Sequence, residues 1–148
     1  MTTFNINTFT TTGQTLADLE FGFIGQLGGI SSSTTAILVP GSGVAVINNG
    51  SIFGRTEAIS ASGPSFSLTN YGSISAGPGS LACISISTAT SFAASAQILN
   101  SGTIQGGGSG VDGILIQSGG NEIVTPGTII GNLANASQIN GNVGAGNL

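Results

Sequence analysis

The sequence predicts an all-β chain folded as a single-domain, three-faced β-solenoid of about five coils, taken as right-handed. Three observations predict it. A short motif recurs at steps of about 22, 30 and 25 residues, aliphatic alternations fall at fixed places between its copies, and charged residues make up only 4% of the chain.

The motif comes first. It reads Asn48-Asn49-Gly50-Ser51-Ile52, then Asn70-Tyr71-Gly72-Ser73-Ile74, then Asn100-Ser101-Gly102-Thr103-Ile104. Pro126-Gly127-Thr128-Ile129 repeats it without the Asn, and Asn140-Gly141-Asn142-Val143 reads as a worn fifth copy. An aliphatic residue stands before each copy (Ile47, Leu68, Leu99, Val124, Ile139), and Gly54, Ala76, Gly106 and Gly131 follow two residues after the Ile. Steps of this size fit one solenoid coil. Unrelated hairpin turns in a β-sandwich are the competing reading of an Asn-x-Gly pair, but they do not require the trailing Ile and small residue to recur.

Two further elements complete each coil. One is Ala58-Ile59, Cys83-Ile84-Ser85-Ile86 and Gly113-Ile114-Leu115-Ile116, whose period-2 alternation marks a half-buried strand. The other is Phe66 with Leu68, then Ile98, then Ile123, just before the next motif. Stacking explains the residue types. Coils lie about 4.8 Å apart, so like residues pile on like. Ile columns make an apolar core, and Asn columns can form amide ladders. Gly tolerates tight corners, whereas stacked like charges repel. Ser51, Ser73, Thr103 and Thr128 should share one column.

The first thirty residues depart from this pattern and are expected to form an N-terminal arm that could also cap the stack, with the repeats running over 31–148. They hold Phe4, Phe9, Phe21 and Phe23, four of the seven Phe. Residues 2–12, with Phe4 and Ile6 alternating, read as an extended arm. Residues 15–27 support two readings equally. Thr15-Leu16-Ala17-Asp18 has the capping-box pattern ahead of a helical spacing at Leu16, Leu19, Phe23 and Leu27. Gly22, Gly25 and the alternation of Leu19, Phe21 and Phe23 favour a strand.

Composition narrows function. The chain has 148 residues, one Lys or Arg (Arg55), no His, five Asp or Glu and a net charge of −4. Binding nucleic acid requires several cations to neutralise phosphates, so a nucleic-acid partner is not expected. No apolar run reaches the ~18 residues of a membrane span, and no signal peptide is readable at Met1-Thr2-Thr3-Phe4-Asn5. Without His or Lys, most base and nucleophile arrangements are missing, so no catalytic residue and no cofactor are expected.

The motif copies resemble the repeats of bacterial surface and secreted β-helices, such as autotransporter passenger domains and filamentous-haemagglutinin-like proteins. The resemblance spans about residues 44–143. It implies an extracellular or cell-surface, non-catalytic stack.

Other groups are read in their simplest form. Gly107-Gly108-Ser109-Gly110-Val111-Asp112-Gly113-Ile114-Leu115 matches the calcium β-roll nonapeptide once. A β-roll site is shared between successive repeats, so Asp112 is a weak calcium candidate and no metal is expected. Arg55 and Glu57 read as a solvated pair worth under ~1 kcal/mol, or else as a contact to a neighbouring subunit. Cys83 reads as a small buried hydrophobe.

These readings lead to a structural role. The expected function is a self-assembling filament subunit, stacking head to tail with copies of itself and in contact with other surface components. The repeat residues Asn48, Gly50, Ile52, Asn70, Gly72, Ile74, Asn100, Gly102, Ile104, Gly127 and Ile129 would build the stack. Phe4, Ile6, Phe9, Val143 and Leu148 are the candidate assembly residues at its ends. Residues 141–148 carry no charge and no Pro, which reads as an end without the usual protection against edge pairing. The alternative is a monomeric adhesin or glycan-binding β-helix, which would need an exposed aromatic platform.

Overall fold

The computed structural model describes residues 3–87, 96–108, 110–117 and 121–135. Among these residues there is no helix, and the strands form three parallel sheets of six strands each. The chain visits the three sheets in turn, so three consecutive strands make one coil.

Coil 1 comprises β1 (Thr3–Ile6), β2 (Phe9–Thr10) and β3 (Gln14–Thr15). Coil 2 comprises β4 (Phe21–Ile24), β5 (Gly29–Ser32) and β6 (Ile37–Val39). Coil 3 has β7 (Ala45–Asn48), β8 (Ser51–Gly54) and β9 (Ile59–Ala61), and coil 4 has β10 (Ser67–Asn70), β11 (Ser73–Ala76) and β12 (Ala82–Ile86). Coil 5 has β13 (Gln97–Asn100), β14 (Thr103–Gln105) and β15 (Asp112–Ile116), and coil 6 has β16 (Glu122–Val124), β17 (Thr128–Ile130) and β18 (Asn132–Asn135). The chain is therefore the expected three-faced β-solenoid.

Register shows why the sequence stacks this way. On the first sheet, Val46, Leu68, Ile98 and Ile123 lie in one column. On the second, Ile30, Ile52, Ile74, Ile104 and Ile129 do the same. The third carries two columns, Ile37-Ile59-Ile84-Ile114 and Val39-Ala61-Ile86-Ile116. All these side chains are buried and together form the core. Each buried aliphatic contributes about 1.5–3 kcal/mol relative to exposure. Residues that alternate with them face outward, and Ser51, Ser73, Thr103 and Thr128 share one outer column as the motif predicts.

The first thirty residues correct the expectation of a separate arm. Residue 30 falls inside β5, and β1, β2 and β3 pair in parallel with β4, β5 and β6. Residues 3–30 are thus coils of the same stack. The open choice at residues 15–27 resolves as strand, turn and strand. Coil 2 lies between coil 1 and coil 3, so β4 gains backbone partners on both sides. A helix containing Gly22 and Gly25 has no comparable return. Gly22 also has a packing role, because a Cβ there would lie 2.4 Å from Cζ of Phe4. The aromatic ring fills the space that Gly22 leaves.

One corner keeps a left-handed backbone in three successive coils. Leu19 (φ 59°), Gly43 (φ 67°) and Ser65 (φ 60°) each stand two residues before β4, β7 and β10. L-residues pay roughly 1–2 kcal/mol for this conformation, so the shared corner geometry outweighs the local preference of Leu19 and Ser65.

Candidate assembly surface

The motif Asn residues form a buried ladder at the corner between the first and second sheets. Asn48, Asn70 and Asn100 are all 0% exposed. Asn48 Nδ2 donates to Asn70 Oδ1 at 2.8 Å, and Asn70 Nδ2 donates to Asn100 Oδ1 at 2.7 Å. The Nδ2 atoms of Asn48, Asn70 and Asn100 also lie 3.2 to 3.3 Å from the carbonyls of Ser73, Thr103 and Thr128, respectively, each in the coil above. Gly50 N–H donates to Asn48 Oδ1 at 3.1 Å, which completes the first rung. Unpaired, a buried amide group would cost about 1–3 kcal/mol.

Thr125 ends the ladder. Its Oγ1 accepts from Asn100 Nδ2 at 3.2 Å and donates to the Gly127 carbonyl at 3.3 Å. This explains why the fourth motif copy lacks Asn. A hydroxyl both accepts and donates, so Thr125 can close the column. The motif reading passed over Thr125, whose signal was a second short polar residue at the Asn position.

A glycine column runs beside the ladder. Residues Gly28, Gly50, Gly72, Gly102 and Gly127 each precede the strand that opens the second sheet's segment of a coil, β5, β8, β11, β14 and β17. A Cβ on Gly50 would lie 2.1 Å from the Gly28 carbonyl oxygen, one on Gly72 2.0 Å from that of Gly50, one on Gly102 2.0 Å from that of Gly72, and one on Gly127 2.2 Å from that of Gly102. These glycines are needed because each coil's backbone rests on the carbonyl below. Gly28-Gly29-Ile30 is a further motif copy, hidden from the sequence reading because coil 2 takes two extra residues at this corner. A second such column, Gly41 and Gly63, was also missed. A Cβ on Gly63 would lie 1.9 Å from the Gly41 oxygen, and one on Gly41 2.3 Å from the Ala17 oxygen.

The coil-1 end carries three of the predicted assembly residues. Phe4 and Ile6 are partly buried and pack against the core, so they face into the stack. Phe9 is 65% exposed, with its ring edge against Gly29. β1, β2 and β3 each stand at an edge of their sheets. Among the described residues, no strand lies on their outer side. Val143, Leu148 and the fifth motif copy lie outside the described residues.

The remaining candidates do not converge. Asp112 opens β15, and Ser109 in the nonapeptide match lies outside the described residues. Among the described residues, no group of three or more His, Cys, Asp or Glu is placed to hold a metal. Arg55 is exposed and Glu57 half-buried, and no ion pair joins them. Cys83 is buried, as its neighbours predict. Burial pushes its thiol from 9.0 up to about 12, against a smaller opposing effect of a backbone hydrogen bond with Gln105. Among the described residues no helix is long and apolar enough to cross a membrane. No family model, curated protein or solved structure matches the chain.

Proposed function

We propose that the chain is a non-catalytic structural subunit that stacks end to end with copies of itself into a filament, outside the cell or at its surface. The observation that carries this reading is the open edge of coil 1. There, among the described residues, β1, β2 and β3 present unpaired strand backbone on all three sheets at once. Such edges template further pairing unless they are protected. A contact between unlike ends does not close on itself, so it propagates into a fibre. A partner that pairs with all three edges must have the same three-faced cross-section, which another copy of this chain has.

The alternative of a monomeric glycan-binding module finds no aromatic platform among the described residues. Phe9 and Tyr71 are the strongly exposed aromatic residues among those described. They lie in coil 1 and in the corner of coil 4, three coils apart, roughly 14 Å.

Sedimentation velocity of the purified chain over a wide concentration range tests the proposal. The expected result is a concentration-dependent ladder of elongated species. A single monomer peak at every concentration would overturn it.

A further inference from the structure

Coil 1 differs from the coils above it at two corners, one where coils 2 to 6 carry glycine and one where coils 2 and 3 do. The register Phe9↔Gly29, Gly29↔Ser51, Ser51↔Ser73 aligns Thr8 with Gly28, Gly50 and Gly72. Coil 1 also has the same corner length as coils 3 to 5. Ile6-Asn7-Thr8-Phe9 matches Asn48-Asn49-Gly50-Ser51 residue for residue. At the other corner, Gly63 rests on the Gly41 carbonyl and Gly41 on the Ala17 carbonyl, so Ala17 is the coil-1 member of that column. Thr8 and Ala17 both carry a Cβ and both are exposed.

In the coils above, a Cβ at these positions would fall 1.9 to 2.3 Å from a carbonyl oxygen below. Nothing among the described residues lies below coil 1, so Thr8 and Ala17 fit where they are. A further coil placed beneath in the same register would meet both. The ladder gives the same boundary independently. Ile6 and Ile24 fill the Asn column in coils 1 and 2, so no amide continues toward this end.

We infer that Thr8 and Ala17 are steric guards on the coil-1 edge and set how closely a second copy can close on it. Naming a second copy as the partner rests on the reading proposed above. The joint between copies then differs from the boundary between two coils of one chain. Strand segments pair, and the two corners stay open. The joint is accordingly weaker than the stack it connects.

The test compares end-to-end association of the wild type, Thr8→Gly, the double variant Thr8→Gly/Ala17→Gly, and Thr8→Ser. Sedimentation measures association, and a circular-dichroism melt confirms folding. Thr8→Ser keeps the Cβ, so it should behave as wild type. The double variant should associate about tenfold more tightly or better, equivalent to about 1.4 kcal/mol at the joint, with the single Gly variant between. If the double variant does not fold, Thr8→Gly against Thr8→Ser carries the comparison.

The outcomes separate the two claims. A monomeric wild type with an associating Gly variant supports the guards and overturns the filament reading for the natural chain. An associating wild type with Gly variants no tighter than Thr8→Ser overturns the guards alone. No association by any of the proteins overturns both.

Discussion

Coils 3 to 6 and coils 1 and 2 turn the same corner by different chemistry. In the upper coils a buried Asn column, closed by Thr125, runs beside a glycine column, and each rung needs its neighbours. In the lower two, Ile6 and Ile24 stand in the Asn column, coil 2 spends two extra residues on the corner, and the Phe4 ring fills the space beneath Gly22. The polar solution is cooperative and intolerant, because removing one rung strands two others. The apolar solution needs no partners and can stop anywhere. Toward coil 1 the column therefore changes from amides to aliphatics.

The glycine column should give the largest effect. Gly72→Ala places a Cβ against backbone that cannot move alone, and should cost about 3 kcal/mol in chemical denaturation. Gly108→Ala, where nothing lies within 4 Å, should change stability by less than about 0.5 kcal/mol. Equal effects of the two would break the contrast.

Next come the rungs. Asn70→Ala strands a donor on Asn48 and an acceptor on Asn100, and should cost about 2–4 kcal/mol. Asn48→Ala sits at the ladder's lower end, next to Ile24, and should cost about 1 kcal/mol less. If Asn48 proved the costlier, the ladder would not be the cooperative unit described.

Phe4→Ala should cost about 1–2 kcal/mol, since its ring is only partly buried. Hydrogen exchange should locate the loss in coils 1 and 2, leaving protection at β11 and β12 unchanged. A uniform loss would mean that the two regions do not differ.

Cys83 reports on the upper region from inside. Its folded pKa of about 12 lies above the ordinary 9.0. The stability that the neutral thiol supplies is complete below pH 9 and is lost as pH rises from there toward 12. Unfolding free energy should therefore fall more steeply over that window in wild type than in Cys83→Ala. At pH 8 the native thiol should resist alkylation until the chain unfolds. Rapid native labelling would contradict a closed core.

The smallest effect has the opposite sign. Ser65→Gly relieves a left-handed residue at φ 60° and should stabilise by about 0.5–1 kcal/mol. A loss would show that the Ser65 side chain contributes more than its backbone costs.

Much of this fold was legible in the sequence. The Ile alternations and the Asn-x-Gly copies name their own columns, because in a solenoid residues at equivalent repeat positions become neighbours. Coils 1 and 2 were not legible for the same reason. Without Asn in the ladder column, and with two extra residues between Ile24 and Gly29, they do not look like the others. Yet backbone pairing, which is indifferent to side chains, draws them into the same sheets. Phe4 and Ile6 read as part of an extended arm because alternation alone does not say which face is inside. The open coil-1 edge and the guards at Thr8 and Ala17 appear only when register places them beneath Gly28 and Gly41.

Electron microscopy of the wild-type chain at high concentration tests the central claim most directly. The account predicts unbranched filaments with strands perpendicular to the long axis and a spacing near 4.8 Å. The subunit repeat should be about 30 Å or somewhat more, the height of six or more coils. Monomers alone, or filaments whose strands run along the axis, would contradict it.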